Sequence, residues 1–166
     1  TPEEIGKIAI QRGIPTIISY FSREIVQSIL KEHGSAKVVT ATNVFAHIDG
    51  INEIVECILE LLDQDGVFIT ECHYLGALVD TLQYDTIYHE HLMYYSLHSL
   101  KHLLEKHGLE IFHAKEIPTH GGSIRAFVSR KGKYPIKPSV AGILDHEEEI
   151  GLDGEKLLDF KSRVVT

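Results

Sequence analysis

The sequence is 166 residues long, 43% apolar and 8% aromatic, enough to bury one substantial core and short for two complete domains. Its formal net charge is −8 with histidine neutral, and the 16 lysines and arginines are scattered singly, so no basic stripe can track a phosphate backbone and nucleic acid is not an expected partner. Cys57 and Cys72 lack CxxC spacing, no run reaches the roughly 18 apolar residues of a bilayer span, and Thr1-Pro2-Glu3-Glu4 is unlike a signal peptide, so reduced thiols and a soluble, cytoplasmic protein are expected.

Thr1, Pro2, Glu3 and Glu4 read as a helix start: a hydroxyl cap, a proline whose missing N–H costs nothing there, and acids at the positive helix end. Ile5, Ile8 and Ala9 give an apolar stripe that stops at Gly13, and Pro15 to Tyr20 reads as a strand. The pattern repeats. Ser22 opens a helix carrying Ile25, Ile29 and Leu30, His33-Gly34 closes it, and Lys37 to Thr42 is the next strand. From Gly50, Ile51, Ile54, Val55, Ile58 and Leu62 share one helical face, and Val67 to Glu71 forms another short strand after Gly66. A helix from about Ser96 to His107 carries Leu97, Leu100, Leu103 and Leu104 and ends at Gly108. The strands Leu109 to Glu116 and Ser123 to Arg130 follow back to back, joined by a loop with Pro118 and Gly121-Gly122, and predict an antiparallel hairpin at a sheet edge. Beyond Pro135 and Pro138 the chain turns helical and acidic, and its simplest reading is a solvated helical tail.

Alternating helices and near-continuous apolar strands predict an α/β fold, a mostly parallel sheet covered by helices. A doubly wound unit ordinarily starts on a strand whose following turn carries a glycine-rich nucleotide loop. Here the first element is a helix and no GxGxxG occurs, so the expectation is either a piece that begins after the cofactor loop or a unit that binds no nucleotide.

The segment Gln83-Tyr84-Asp85-Thr86-Ile87-Tyr88-His89-Glu90-His91 gathers tyrosines, histidines and acids in a way no core strand is written. A polar surface loop is the plain reading. Against it, the segment follows a strand of a presumed parallel sheet, where ligands lie beyond the carboxyl ends of strands, and Asn43-Val44-Phe45-Ala46-His47 adds another histidine to that rim. An imidazole near neutrality, a carboxylate beside it and a phenol able to donate to a developing enolate suit proton abstraction next to a carbonyl. A metal site is the competing chemistry, since His89-Glu90-His91 could ligate with His98 and His102. His33 and His107 precede helix-ending glycines, where a cation complements the helix terminus. Gly121-Gly122 is either a close approach to a ligand or neighbouring domain, or a tight hairpin turn.

Asn43 to Gly50 (NVFAHIDG), Tyr84 to Ser96 (YDTIYHEHLMYYS) and His120 to Arg125 (HGGSIR) together resemble the S-adenosylmethionine-dependent C-methyltransferases that act on nucleotide-linked keto-deoxysugars. The resemblance runs from the first helix to about Arg130 and implies a Rossmann-like class I methyltransferase fold. It also implies a three-part protein: a cysteine-rich zinc-binding segment, a methyltransferase domain and a Rossmann-like C-terminal domain. On that basis residues 1–132 would be the later part of the methyltransferase domain, with its first strands missing, and 133–166 a linker and the start of the last domain. Position by position, the resemblance implies His91 as general base, Glu90 as its companion, Tyr88 as a sugar or enolate contact and His47 as a second active-site imidazole. Tyr20 and Phe21 would lie at the adenine of S-adenosylmethionine, and Asn43 and Val44 under its methionine part. No protein metal ligand is implied in this stretch. The substrate would be a nucleotide-linked sugar, and the piece by itself would bind the methyl donor poorly and be inactive. Two other classes stay open: a non-catalytic α/β interaction module that self-associates through an exposed sheet edge, and a His/Glu metal-binding protein.

Overall fold

A computed structural model describes residues 2–152 and 154–165, so the cap expected at Thr1 lies outside the described residues. Helices α1 (Pro2–Gln11) and α2 (Arg23–His33) come first, followed by strand β1 (Ala36–Thr42), helix α3 (Ile51–Leu61) and strand β2 (Leu62–His73). Then come α4 (Leu75–Asp80), α5 (Leu97–Glu105), the hairpin of β3 (Leu109–Ile117) and β4 (Ser123–Arg130), and finally α6 (Pro138–Glu149) and α7 (Glu155–Val165). The sheet order is β1-β2-β4-β3.

The class is α/β, as the alternation predicts, with the parallel component confined to β1 and β2. Strand β4 pairs antiparallel with β2, placing Glu71 opposite Arg125 and His73 opposite Ser123, and β3 closes the hairpin on the outside. The short turn through Gly121-Gly122 forces this pairing, because a parallel return would need a crossover. The strand expected at Pro15–Tyr20 does not form. That stretch has no strand beside it to share backbone hydrogen bonds, and Ile17 and Ile18 stay exposed.

The apolar stripes find their partners on one core. Leu97, Leu100 and Leu104 of α5, Val55 and Ile58 of α3, and Phe68, Ile124, Ala126 and Val128 of the sheet are all buried together. Each of these leucine, isoleucine, valine and phenylalanine side chains withdrawn from water contributes about 1.5–3 kcal/mol. The acidic stretch after Pro138 is no solvated tail. Val140, Ile143 and Leu144 bring α6 against the same core, and Glu147 is buried at the start of α5, where its carboxylate accepts from the backbone N–H of Leu97 at 2.6 Å and of His98 at 2.9 Å. These are donors that no helix can satisfy internally, and a carboxylate complements the helix dipole as well. Ser96 and Ser99 complete a reciprocal capping box. Among the described residues no helix is long and apolar enough to cross a membrane.

Candidate active site

The carboxyl ends of β1 and β2 open onto a cavity of about 370 Å³ lined by Asn43, Ala46, His47, Cys72, His73, Thr86, Tyr88, His91 and His120. Three segments meet here because main-chain bonds tie them. Asn43, in the left-handed region at φ 54°, turns the chain out of β1 while its N–H donates to Glu71 O at 2.8 Å. Ala46 O accepts from Leu92 N at 2.8 Å and Met93 N at 3.3 Å, drawing the 84–93 segment over the first rim. Leu75 N donates to Tyr95 O at 2.9 Å, and Tyr74 N to Gly122 O at 3.1 Å, which fixes the β3–β4 loop alongside.

The hydrogen bonds settle which ring nitrogen of His91 and of His47 carries the proton. His91 Nδ1 stands 3.0 Å from Thr86 O, and a carbonyl only accepts, so Nδ1 is the donor. The lone pair of the neutral ring is then on Nε2, 3.1 Å from Tyr88 Oη, which donates to it. The two rings lie 4.3 Å apart. His47 repeats the device: its Nδ1 donates to Glu90 O at 2.8 Å, leaving the Nε2 lone pair without a protein donor among the described residues. The His47 and His91 rings are 5.0 Å apart.

Of the residues expected at the reaction centre, His47, Tyr88 and His91 therefore share one cavity. Glu90 is exposed and its carboxylate does not line that cavity; what it brings to the site is the main-chain carbonyl that orients His47. Among the residues expected at the cofactor, Asn43 lines this cavity, whereas Phe21 and Val44 line a neighbouring apolar one of about 270 Å³ with Val39, Thr42, Ile48 and Ile58. Tyr20 is 84% exposed and belongs to neither. Among the described residues no group of three or more histidine, cysteine, aspartate or glutamate side chains is arranged to hold a metal ion. His98 and His102 are exposed on α5, opposite its buried leucines, and neither lines the histidine cavity.

Sequence reasoning assigned no role to His73 or Glu71, nor to His120 and Arg125 at the two ends of the HGGSIR stretch. His73 ends β2, where the strand turns polar, and burial holds its pKa below the ordinary value, with nearby His91 and His120 acting the same way against the bond to Gln83. Next to it, Glu71 is buried with its carboxylate held by Arg125 Nε at 2.8 Å and by Thr119 Oγ1 at 3.2 Å. A lone Glu in an apolar strand, with an Arg in the antiparallel partner, was the available signal. The Gly121-Gly122 turn makes its close approach to its own chain. Both residues have positive φ, and a Cβ on either would collide with Gln83 or Ala77.

A family model described as a methyltransferase domain matches residues 6–114. The chain is 38% identical over 149 residues to the C-methyltransferase NovU of Streptomyces niveus, an alignment covering 89% of this chain. It spans 36% of the length of that curated relative. Among solved structures, the mitomycin 7-O-methyltransferase MmcR superposes with a TM-score of 0.52 at 16% identity, over 78% of this chain and 39% of that one. The PH0226 protein of Pyrococcus horikoshii OT3 gives 0.51 at 11% identity, over 75% of this chain and 64% of its own, so both show likeness of fold.

Proposed function

Because the chain belongs to the S-adenosylmethionine-dependent methyltransferases, we propose that it carries the acid–base half of an enzyme that methylates carbon next to a ketone in a nucleotide-linked keto-deoxysugar. The observation that carries this reading is the shared cavity lined by the Tyr88–His91 pair and by His47, whose ring lies 5.0 Å from that of His91. Deprotonation beside a ketone needs a neutral base with a free lone pair and a donor for the enolate oxygen. The His47 imidazole, with Nδ1–H tied to Glu90 O, can offer the first through Nε2. The Tyr88 phenol offers the second, and once it turns to the substrate oxygen, His91 Nε2 is released as a base. Each imidazolium so formed keeps its second N–H on a main-chain carbonyl, which stabilises the charge. Glu90 acts through its carbonyl on His47.

S-adenosylmethionine supplies an electrophilic sulfonium methyl when bound. The residues present fit part of that molecule: Phe21 and Val44 give an apolar slot suited to an aromatic base, and its lining residues Thr42, Val44 and Phe45 alternate along the chain with Asn43 and Ala46 of the histidine cavity. Residues 133–166 would lead from this unit into a C-terminal domain, with α6 as the anchor. The free thiols of Cys57 and Cys72 and the acidic charge fit a cytoplasmic enzyme that does not bind nucleic acid.

Solvent deuterium exchange tests the proposal directly. The full-length protein in D₂O, given a nucleotide-linked keto-deoxysugar without the methyl donor, is expected to exchange the hydrogen beside the ketone. The His47→Gln/His91→Gln double variant, which leaves neither imidazole, should slow that exchange by roughly 10²–10⁴-fold. Unimpaired exchange by that double variant would sink it, as would transfer of the methyl to oxygen instead of carbon once methyl-labelled S-adenosylmethionine is added.

A further inference from the structure

His73 and His120 are the cavity imidazoles that the proposed chemistry leaves unused, and the surroundings of His73 fix its state. Thr81 Oγ1 donates to Ala77 O at 2.7 Å, so toward Gln83 it can only accept. Gln83 Nε2 donates to that oxygen and to Gly121 O at 2.7 Å. Two acceptors thus pin the amide nitrogen, and the opposite end, Oε1, faces His73 Nε2 at 3.0 Å. An amide oxygen accepts, so His73 Nε2 must carry the hydrogen. The lone pair of the neutral ring is left on Nδ1, for which the described residues supply no donor.

The groups that face this ring are His91 from the 84–93 segment, His120 from the β3–β4 loop and Gln83 after α4; its strand neighbour on β4 is Ser123. The two charged-capable neighbours are imidazoles, and among the described residues no carboxylate is set against the ring to hold it protonated. A half-buried imidazole so placed is a weak base. It is well suited to a different task, accepting a hydrogen bond from a hydroxyl held in the pocket.

We propose that His73 Nδ1 accepts a hydrogen bond from a hydroxyl of the sugar held in this cavity, which makes His73 a specificity-determining residue for that hydroxyl. The ligand class it selects is one with an O–H donor at that point, as opposed to an ether, a ketone or a methylene. The inference rests on the sugar C-methylation reading.

Two measurements test it. In the wild-type protein at pH 7, ¹⁵N-detected histidine spectra should show His73 neutral with hydrogen on Nε2; hydrogen on Nδ1, or a protonated ring, overturns the inference whatever the enzyme does. In the full-length enzyme, His73→Leu should lower kcat/KM for the sugar by roughly tenfold without changing KM for the methyl donor. His73→Asn, whose Oδ1 can stand where Nδ1 stood, should restore most of the loss. His73→Gln, which replaces the other nitrogen, should not. Against a panel of deoxy analogues, one analogue should erase the difference between wild type and His73→Leu. Equal kcat/KM for the three variants and wild type, with the carbon-methylated product still formed, overturns the role of His73 and leaves the C-methylation reading standing. Absence of carbon methylation by wild type overturns both, and is seen before any variant is made.

Discussion

Replacing Gly122 by alanine should test how the cavity wall is held. Gly122 sits at φ 120°, a region that an L-residue occupies at a cost of about 1–3 kcal/mol. Its new methyl group would also press into the Cβ of Ala77 on α4, closer than any non-bonded carbons approach, and overpacking of this kind costs about 1–3 kcal/mol more. A total near 4 kcal/mol is a large share of the roughly 5–15 kcal/mol that stabilises a domain, and corresponds to a fall in Tm of about 8–16 °C at this size. Ala77→Gly removes the methyl on the other side. Alone it should cost about 1 kcal/mol as a glycine inside a helix. Combined with Gly122→Ala it should return the overpacking part, a coupling of about 1–3 kcal/mol, but none of the backbone strain. Urea unfolding followed by circular dichroism on the four proteins of this cycle measures each quantity. A loss below about 1 kcal/mol for Gly122→Ala, or strict additivity of the two changes, would refute the steric argument. Because Gly122 O receives Tyr74 N and Gly121 O receives Gln83 Nε2, the variant should also loosen the Gln83–His73 contact.

Glu147→Ala removes the acceptor for two backbone donors of α5, one of them on fully buried Leu97, and should destabilise by about 2–3 kcal/mol in thermal unfolding; the exposed neighbour Glu148→Gln should stay within about 0.5 kcal/mol. Burial, with a smaller push from Glu71, raises the Cys72 thiol to about 12, so the native protein should resist alkylation there at pH 8 while the urea-unfolded chain reacts. Mass spectrometry of iodoacetamide-treated samples reads the difference, and rapid native labelling of Cys72 would contradict the packing.

The leucine spacing of α5 and the isoleucine spacing of α3 were legible because each stripe meets one flat core surface, and periodicity encodes a single face. The hairpin was legible from its turn. Pro15 to Tyr20 misled because an apolar run specifies a strand only when a neighbouring strand supplies backbone partners, which local sequence does not carry. Likewise the acidic composition of α6 hid Glu147, whose value depends on α5, 50 positions earlier in the chain. In the site, His47, Tyr88 and His91 could be singled out from the density of proton-moving groups. His73 could not, since its role depends on an amide whose orientation is set by Thr81 and Gly121.

His47 and His91 each lean on a peptide oxygen, Glu90 O and Thr86 O. Side-chain replacement at positions 86 and 90 cannot delete those props, because every amino acid brings the same carbonyl. Variation can therefore retune charge and bulk around the pocket while the two imidazoles keep their orientation, and drift in their protonation pattern would require the main chain itself to move.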